Sequence, residues 1–416
     1  MRNPIRLVVL CLFSSALLMC LTACSIFGNS SLNSTPTPTP TPAVTSSYAV
    51  PDTYNNRVLI YDNVTPVSTD QPASVVLGQA DFTTNGFPSV AANTFDYPTS
   101  LAVDPVGDLY VADWGFCRVL VFAPPFTNNM SAIMVIGQAN MTTSTCAAGA
   151  STLGNVYAVA FDGSGNLWVS DATYSRIVEF TPPFSTGMSA TLVIGQTSLS
   201  IAGSCNQGTP AAPTASTLCD QWDMNFDSSG NLWVADHDNN RILEFKPPFS
   251  NDMAASLELG QPSGATAFTS QAANNGGISA TTLYKPAQPA FDGYGNLWVA
   301  DSYNNRILEY TPPFSNGMAA TLELGQPSGA SAFTTNALNT SQSGFFYPIG
   351  ISFDSSGYMQ VADIDNSRVM IFVPPFSNGM NATTVLGQAD FTHGAINQSG
   401  SVGANTLYWP FGGVDF

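Results

Sequence analysis

The chain has 416 residues, of which 44% are hydrophobic and only 9% charged, with 34 Gly and 29 Pro. That length can bury a large core, and the density of Gly and Pro argues against long helices and for an all-β class. A formal charge of −18 leaves almost no Lys or Arg to neutralise phosphates, which excludes nucleic acid as a partner and disfavours adhesion to an anionic membrane surface.

Arg2 and Arg6 precede an apolar run over residues 7–21, which falls short of the roughly 20 residues that span a bilayer. Small residues then lead to a cysteine in LTAC, residues 21–24. This leader resembles a bacterial lipoprotein signal with its lipobox, which implies cleavage before Cys24 and a lipid on the Cys24 thiol. The mature protein would then sit in the bacterial cell envelope, outside the cytoplasm, held to a membrane through its lipid alone. Residues 24–46 read as a stalk, because TPTPTPTP at 35–42 can form neither helix nor sheet ladders and is an extended polyproline-type spacer.

From residue 47 to residue 416 one unit recurs six times. Its most regular part reads YAVPDTYNNRVLIY (48–61), YVADWGFCRVLVF (110–122), WVSDATYSRIVEF (168–180), WVADHDNNRILEF (233–245), WVADSYNNRILEY (298–310) and QVADIDNSRVMIF (360–372). Aspartates at 52, 113, 171, 236, 301 and 363 each precede an arginine by five residues. In the second unit, SLAVD, LYVAD, RVLVF and AIMVIGQ alternate or run apolar between the turns PVGD and PPFTNN, so each unit reads as four short strands. Six such units predict a six-bladed β-propeller with four-stranded blades. The first unit lacks its opening strand, and WPFGGVDF (409–416) supplies a match for it at the other end. The termini are therefore expected to complete one blade together, which removes two open sheet edges.

The segments NLWVADHDNNRILEF and NLWVADSYNNRILEY resemble NHL repeats, over roughly the whole chain beyond the stalk, although each unit here is lengthened by a long connection after a Gly-Gln pair. The resemblance implies a six-bladed propeller and no single activity, since propellers of this kind include binding modules, lyases and lactonase-like hydrolases.

A residue present in every blade is explained by what every blade needs, so the six Asp and Arg pairs read as buried structural turns. They use every arginine beyond the leader, and only Lys246 and Lys285 remain. Trp168, Trp233 and Trp298 share one repeat position and are expected between blades, while the PPF segments read as turn anchors. Departures from the repeat are fewer. The third opening strand carries Asn225 where the others carry small residues, with Asp223 two earlier on the same strand face. His237 follows Asp236, Trp114 follows Asp113, and Trp222 and Trp409 end long connections. These six residues are the candidate ligand contacts, set against a structural account in which chance polar residues and water fill a channel unevenly.

Outside the leader and Cys24 there are four cysteines, Cys117, Cys146, Cys205 and Cys219, an even count that suggests disulfides in an oxidising compartment. Cys205 with Cys219 is the first choice, and Cys117 with Cys146 then follows by elimination. The two histidines, His237 and His393, lie in different units and cannot build a multi-His metal site. Calcium has its best ligands in DHDNN (236–240) or DIDNS (363–367), but both fall in the recurring turn and lack an acidic closing ligand. No cofactor is therefore expected, with calcium the one left open.

The function so predicted is binding of an extracytoplasmic ligand, a cell-wall glycan or a peptide, on the face that carries the long connections. The alternative is a propeller lyase or lactonase-like hydrolase with a channel site near Asp223. Anchoring is tested by Cys24→Ser, which is expected to release the protein from membranes into the soluble fraction; a variant that stays membrane-bound at full length contradicts lipidation.

Overall fold

The computed structural model describes residues 47–62, 68–208 and 213–416; the leader, Cys24 and the stalk lie outside the described residues. Six antiparallel four-stranded sheets form the blades of a six-bladed β-propeller. The inner strands are Pro98–Val103, Val156–Phe161, Met224–Phe226, Pro286–Phe291, Pro348–Phe353 and, for the first blade, Val414–Asp415. The first blade has the strand order predicted from the termini: the C-terminal strand pairs with Ser47–Asp52, Ala49 opposite Val414 and Tyr48 opposite Asp415. Backbone bonds between Ser47 and Phe416 run in both directions, at 2.8 and 2.9 Å.

Each recurring turn after the second strand is built by one motif. The aspartate accepts the Nε–H of the arginine five residues on, at 2.6 to 2.9 Å, in all six blades. In the Asn-containing turns the first Asn also donates to that carboxylate, Asn55, Asn239, Asn304 and Asn366 each at 2.8 Å. The residue before the arginine adopts a left-handed conformation in every blade, φ lying between 47° and 56°. Asn tolerates that region best among side-chain-bearing residues, which accounts for the recurrent NNR.

The arginine then reaches out of its blade. Arg118 donates through Nη1 to the Met141 carbonyl and through Nη2 to the carbonyls of Ala91 and Thr94, so one guanidinium holds the connection that enters its blade and the one that leaves it. Asp113 completes the hold by accepting the Asp96 N–H at 2.7 Å. In the first blade the incoming connection is the C-terminal segment: Arg57 donates to Gly403 and Thr406, and Asp52 accepts the Tyr408 N–H.

Blades pack through the recurring aromatics. Trp168, Trp233 and Trp298 are fully buried, and each meets the Phe of the next blade's PPF turn at 4.9 to 5.0 Å in an edge-on contact. Their indole N–H groups donate to Asp162, Asp227 and Asp292, each at 3.1 Å, so the polar atom of each buried ring is satisfied.

The two disulfides are Cys117–Cys146 and Cys205–Cys219, with Cα atoms 5.4 and 4.2 Å apart. Both tie long connections, and they point to an oxidising environment outside the cytoplasm.

With its inner strand removed, the first blade would expose the edge of Ser47–Asp52 to the channel. Deleting residues 414–416 is therefore expected to lower the melting temperature or to cause aggregation. Thermal scans with light scattering decide this, and an unchanged melting temperature would contradict closure through the C terminus.

Candidate functional site

In each blade the inner strand descends from one face of the ring, here the top, so the Asp-to-Arg turn and the long connections lie at the top and the PPF turns at the bottom. Ser47 enters at the bottom beside Phe416, whose ring packs on Phe126 of a PPF turn at 5.6 Å.

The residue that begins each inner segment at the top is Tyr97, Asn155, Asp220, Lys285, Tyr347 or Trp409. Five of the six are left-handed, Tyr97 at φ 56°, Asp220 at 48°, Lys285 at 50°, Tyr347 at 60° and Trp409 at 55°, a costly conformation for bulky side chains that the surroundings must hold. At three of them the neighbouring blade does the holding. The left-handed Asn of its turn accepts the backbone N–H of this residue: Asn56 from Tyr97 at 3.0 Å, Asn240 from Lys285 at 2.8 Å and Asn305 from Tyr347 at 2.9 Å. The structural turn of one blade thus sets the mouth residue of the next.

These side chains and those of the adjacent turns make a chain of aromatic contacts around the channel mouth. Trp409 meets Tyr54 at 4.8 Å, Tyr54 meets Tyr97 at 5.0 Å, Tyr97 meets Trp114 at 5.9 Å, Trp114 meets Tyr157 at 6.3 Å, and Tyr157 stacks on Trp222 at 5.2 Å. Tyr303 and Tyr347, 4.9 Å apart, continue it on the far side. Two cavities of about 240 and 470 Å³ open among these rings. Phe87, 69% exposed, and Leu338, 62% exposed, stand at the rim. Lys285 pairs with Asp238 at 2.9 Å and lies over the Tyr303 ring. Asp220 and Asp365 add acidity, and burial pushes the Asp220 carboxyl up to about 6, helped by the Asp238 charge.

The six sequence-derived candidates fall at different depths. Trp114, Trp222 and Trp409 line the mouth cavities, Trp222 and Trp409 both on the larger one. Trp222 reaches from the mouth into the throat, its indole N–H on Asp220 at 3.3 Å and one face on the His237 ring at 4.0 Å and 4°. His237 is buried, 1% exposed, with Nδ1 3.1 Å from the Pro286 carbonyl. Burial holds its pKa down to about 3, with Lys285 acting in the same direction, so a neutral imidazole props Trp222 from behind. Asp223 and Asn225 line a channel cavity of about 340 Å³ below. Tyr54, Tyr97, Tyr157, Tyr303, Tyr347 and Phe411 were not singled out from the sequence. Registering the six inner segments on their first residue, instead of on the aspartate that closes the strand, brings Phe411 into line with Tyr157 and Trp222.

Among the described residues no group of three or more His, Cys, Asp or Glu is arranged to hold a metal. The carboxylates of DHDNN and DIDNS that open each turn, Asp236 and Asp363, are engaged by Arg241 and Arg368.

Residues 95–122 match the family model described as NHL repeat, which spans part of one of the six units. Among solved structures, the fold is similar to that of virginiamycin B lyase from Staphylococcus aureus, at 12% identity over 69% of this chain and 68% of that one, with a TM-score of 0.39. It is also similar to a protein of unknown function from Bacteroides caccae, at 9% identity over 88% and 93%, with a TM-score of 0.45. Likeness at this level carries no argument about activity. No curated protein matches the sequence.

Asp223 is the one charged residue lining the channel cavity. Enclosure pushes its carboxyl up to about 8, against the pull of the Met224 N–H. In the unfolded chain the group titrates near 3.8. From about pH 4 to about pH 8 the native state therefore holds a proton that the unfolded state has released, and stability falls as pH rises through that window. Asp223→Asn removes this titration. The variant is expected to melt like the parent near pH 4 and progressively higher than it toward pH 8; a difference that does not grow with pH would show that the carboxylate is well hydrated.

Proposed function

We propose that the protein is a lipid-anchored, extracytoplasmic binding module that takes a glycan or peptide on its aromatic top-face mouth. In this reading residues 1–23 are a leader removed in maturation, Cys24 carries the lipid, residues 24–46 are a stalk and residues 47–416 the propeller. Because Ser47 enters at the bottom rim, a stalk leading to it leaves the mouth facing away from the membrane.

The observation that carries the reading is the mouth itself. Its rings sit at repeat positions whose occupants differ from blade to blade, so the repeat itself does not call for them. Rigid aromatic rings around concave space suit the apolar faces of sugars and peptide side chains, and the adjoining acids and Lys285 supply orientation. The hydrolase or lyase alternative rests on Asp223, whose raised carboxyl could hold or deliver a proton near neutral pH. It lacks a second titratable group lining the same cavity to act as partner.

A screen of glycan arrays and cell-wall peptides should yield a ligand whose affinity falls about tenfold or more on Trp114→Ala or Trp409→Ala. Tyr294→Ala, which changes a 90% exposed ring at a bottom-face turn, should leave it unchanged. A ligand insensitive to both tryptophans and lost with Tyr294 would move the binding face to the bottom.

A further inference from the structure

The third residues of the inner segments are Thr99, Tyr157, Trp222, Ala287, Ile349 and Phe411, and all but Thr99 meet where the mouth narrows into the channel. The last five, with Asp223 and Gly412, enclose a gap of about 10 Å³. A space of that size admits about one water-sized group. Sugar rings and carboxylates are too large for it.

The chemistry of the walls is selective in a second way. Tyr157, Trp222 and Phe411 contribute aromatic rings, whose π-electrons attract cations and disfavour anions. Asp223 contributes the only charge, and it borders both this throat and the channel cavity beneath. One carboxylate oxygen accepts the Met224 N–H at 2.7 Å, and no described residue forms an ion pair with the group. The other titratable neighbours are engaged or neutral. Burial holds Tyr157 above its ordinary pKa, so its phenol stays protonated, and His237 is a neutral ring behind Trp222. Lys285 is paired with Asp238 at the mouth. Burial holds the Asp223 carboxyl up, against the pull of the Met224 N–H.

The six turn aspartates of the same ring each have an arginine. Asp223 has none, at a position filled in the other blades by Ser100, Ala158, Gln288, Gly350 and Gly412. No demand of the repeat puts a carboxylate there. Asp223 is half-buried, a carboxylate drawn partly out of water is stabilised by a paired cation, and the throat has room for one supplied from outside.

We propose that the throat is a seat for a primary ammonium group, with Asp223 as its counter-ion and Tyr157, Trp222 and Phe411 as its walls. The inference rests on the mouth being the binding face, and narrows its ligand to an amine-bearing one: a de-N-acetylated amino sugar or a peptide with a lysine-type side chain. The body of the ligand lies among the mouth rings and its ammonium points down the channel axis.

The probe is methylammonium chloride, titrated into the protein at about pH 9, where both partners are charged, and followed by tryptophan fluorescence, which Trp222 reports. Tetramethylammonium and potassium chlorides at equal ionic strength are the controls. Saturable quenching by methylammonium alone is expected, weakened at least about a hundredfold in Asp223→Asn, whose fold is verified by circular dichroism. Because the carboxyl must lose its proton to pair, affinity should rise by about tenfold per pH unit from pH 6 to pH 8 and then level off. Equal responses to potassium or tetramethylammonium, or an undiminished response in Asp223→Asn, overturn the proposal. Glucosamine trimer and lysine amide then separate the two ligand sources, with N-acetylglucosamine trimer as the blocked control. Binding of the acetylated trimer that depends on Trp114 but not on Asp223 keeps the mouth and removes the ammonium seat. Methylammonium binding without any oligomer effect of Trp114→Ala or Trp409→Ala keeps the seat and removes the mouth.

Discussion

Everything on the top face depends on six buried ion pairs. Each arginine has its Nε–H on the aspartate of its own turn and its two terminal nitrogens on carbonyls of long connections, as Arg368 does with Phe391, Ser341 and Gly344. A planar guanidinium with five donors can serve three directions at once, and a lysine ammonium cannot. Removing both charges from water is costly, and the pair alone would add little to stability. Here the remaining donors are also satisfied, so the cost brings a defined geometry: connections that carry little regular structure are pinned at both ends to the rigid edge of a blade.

That arrangement separates what must recur from what can vary. The aspartate, the arginine and the left-handed residue between them are needed in every blade. The residue after the aspartate and the first and third residues of the inner segment are not needed for the clamp, and these positions change from blade to blade. The first of them reads Thr53, Trp114, Ala172, His237, Ser302 and Ile364. Thr53 and His237 hydrogen-bond to the carbonyl that starts the next inner strand, Pro98 and Pro286, and Trp114 instead turns its ring into the mouth. One scaffold position thus serves packing in one blade and recognition in another.

The propeller was legible because the clamp repeats six times with a spacing no other architecture explains, and ring closure was legible because the missing strand of the first unit stands at the end of the chain. The mouth was legible only in part. Trp114, Trp222 and Trp409 stood out as large rings at unusual places, whereas Tyr97, Tyr157, Tyr347 and Phe411 did not. Counting alternation back from the closing aspartate assumes an unbroken strand. The pairing of four inner strands shifts register near the top, between Pro98 and Leu101, Val156 and Ala158, Pro286 and Pro289, and Pro348 and Gly350. Such a bulge reverses which side chains face the channel. The final segment is also one residue shorter, so Phe411 falls out of register with its equivalents. His237, named from the sequence as a rare histidine beside a turn aspartate, is buried with its ring stacked behind Trp222.

Asp223 shows where symmetry ends. A six-fold repeat can explain any residue that recurs and can explain small residues along a crowded axis, since inner strands converge there and Gly350 leaves no room for a Cβ beside the Gly412 backbone. It cannot explain a carboxylate placed once, enclosed and unpaired by the chain's own cations. The charge balance sharpens the point, because residues 47–416 include eight Lys and Arg and six of them are consumed by the clamps. Lys246 is engaged with Glu244 and Lys285 with Asp238. Every Lys and Arg among the described residues has a carboxylate partner, so under the ammonium-seat proposal the positive charge at the axis arrives with the ligand.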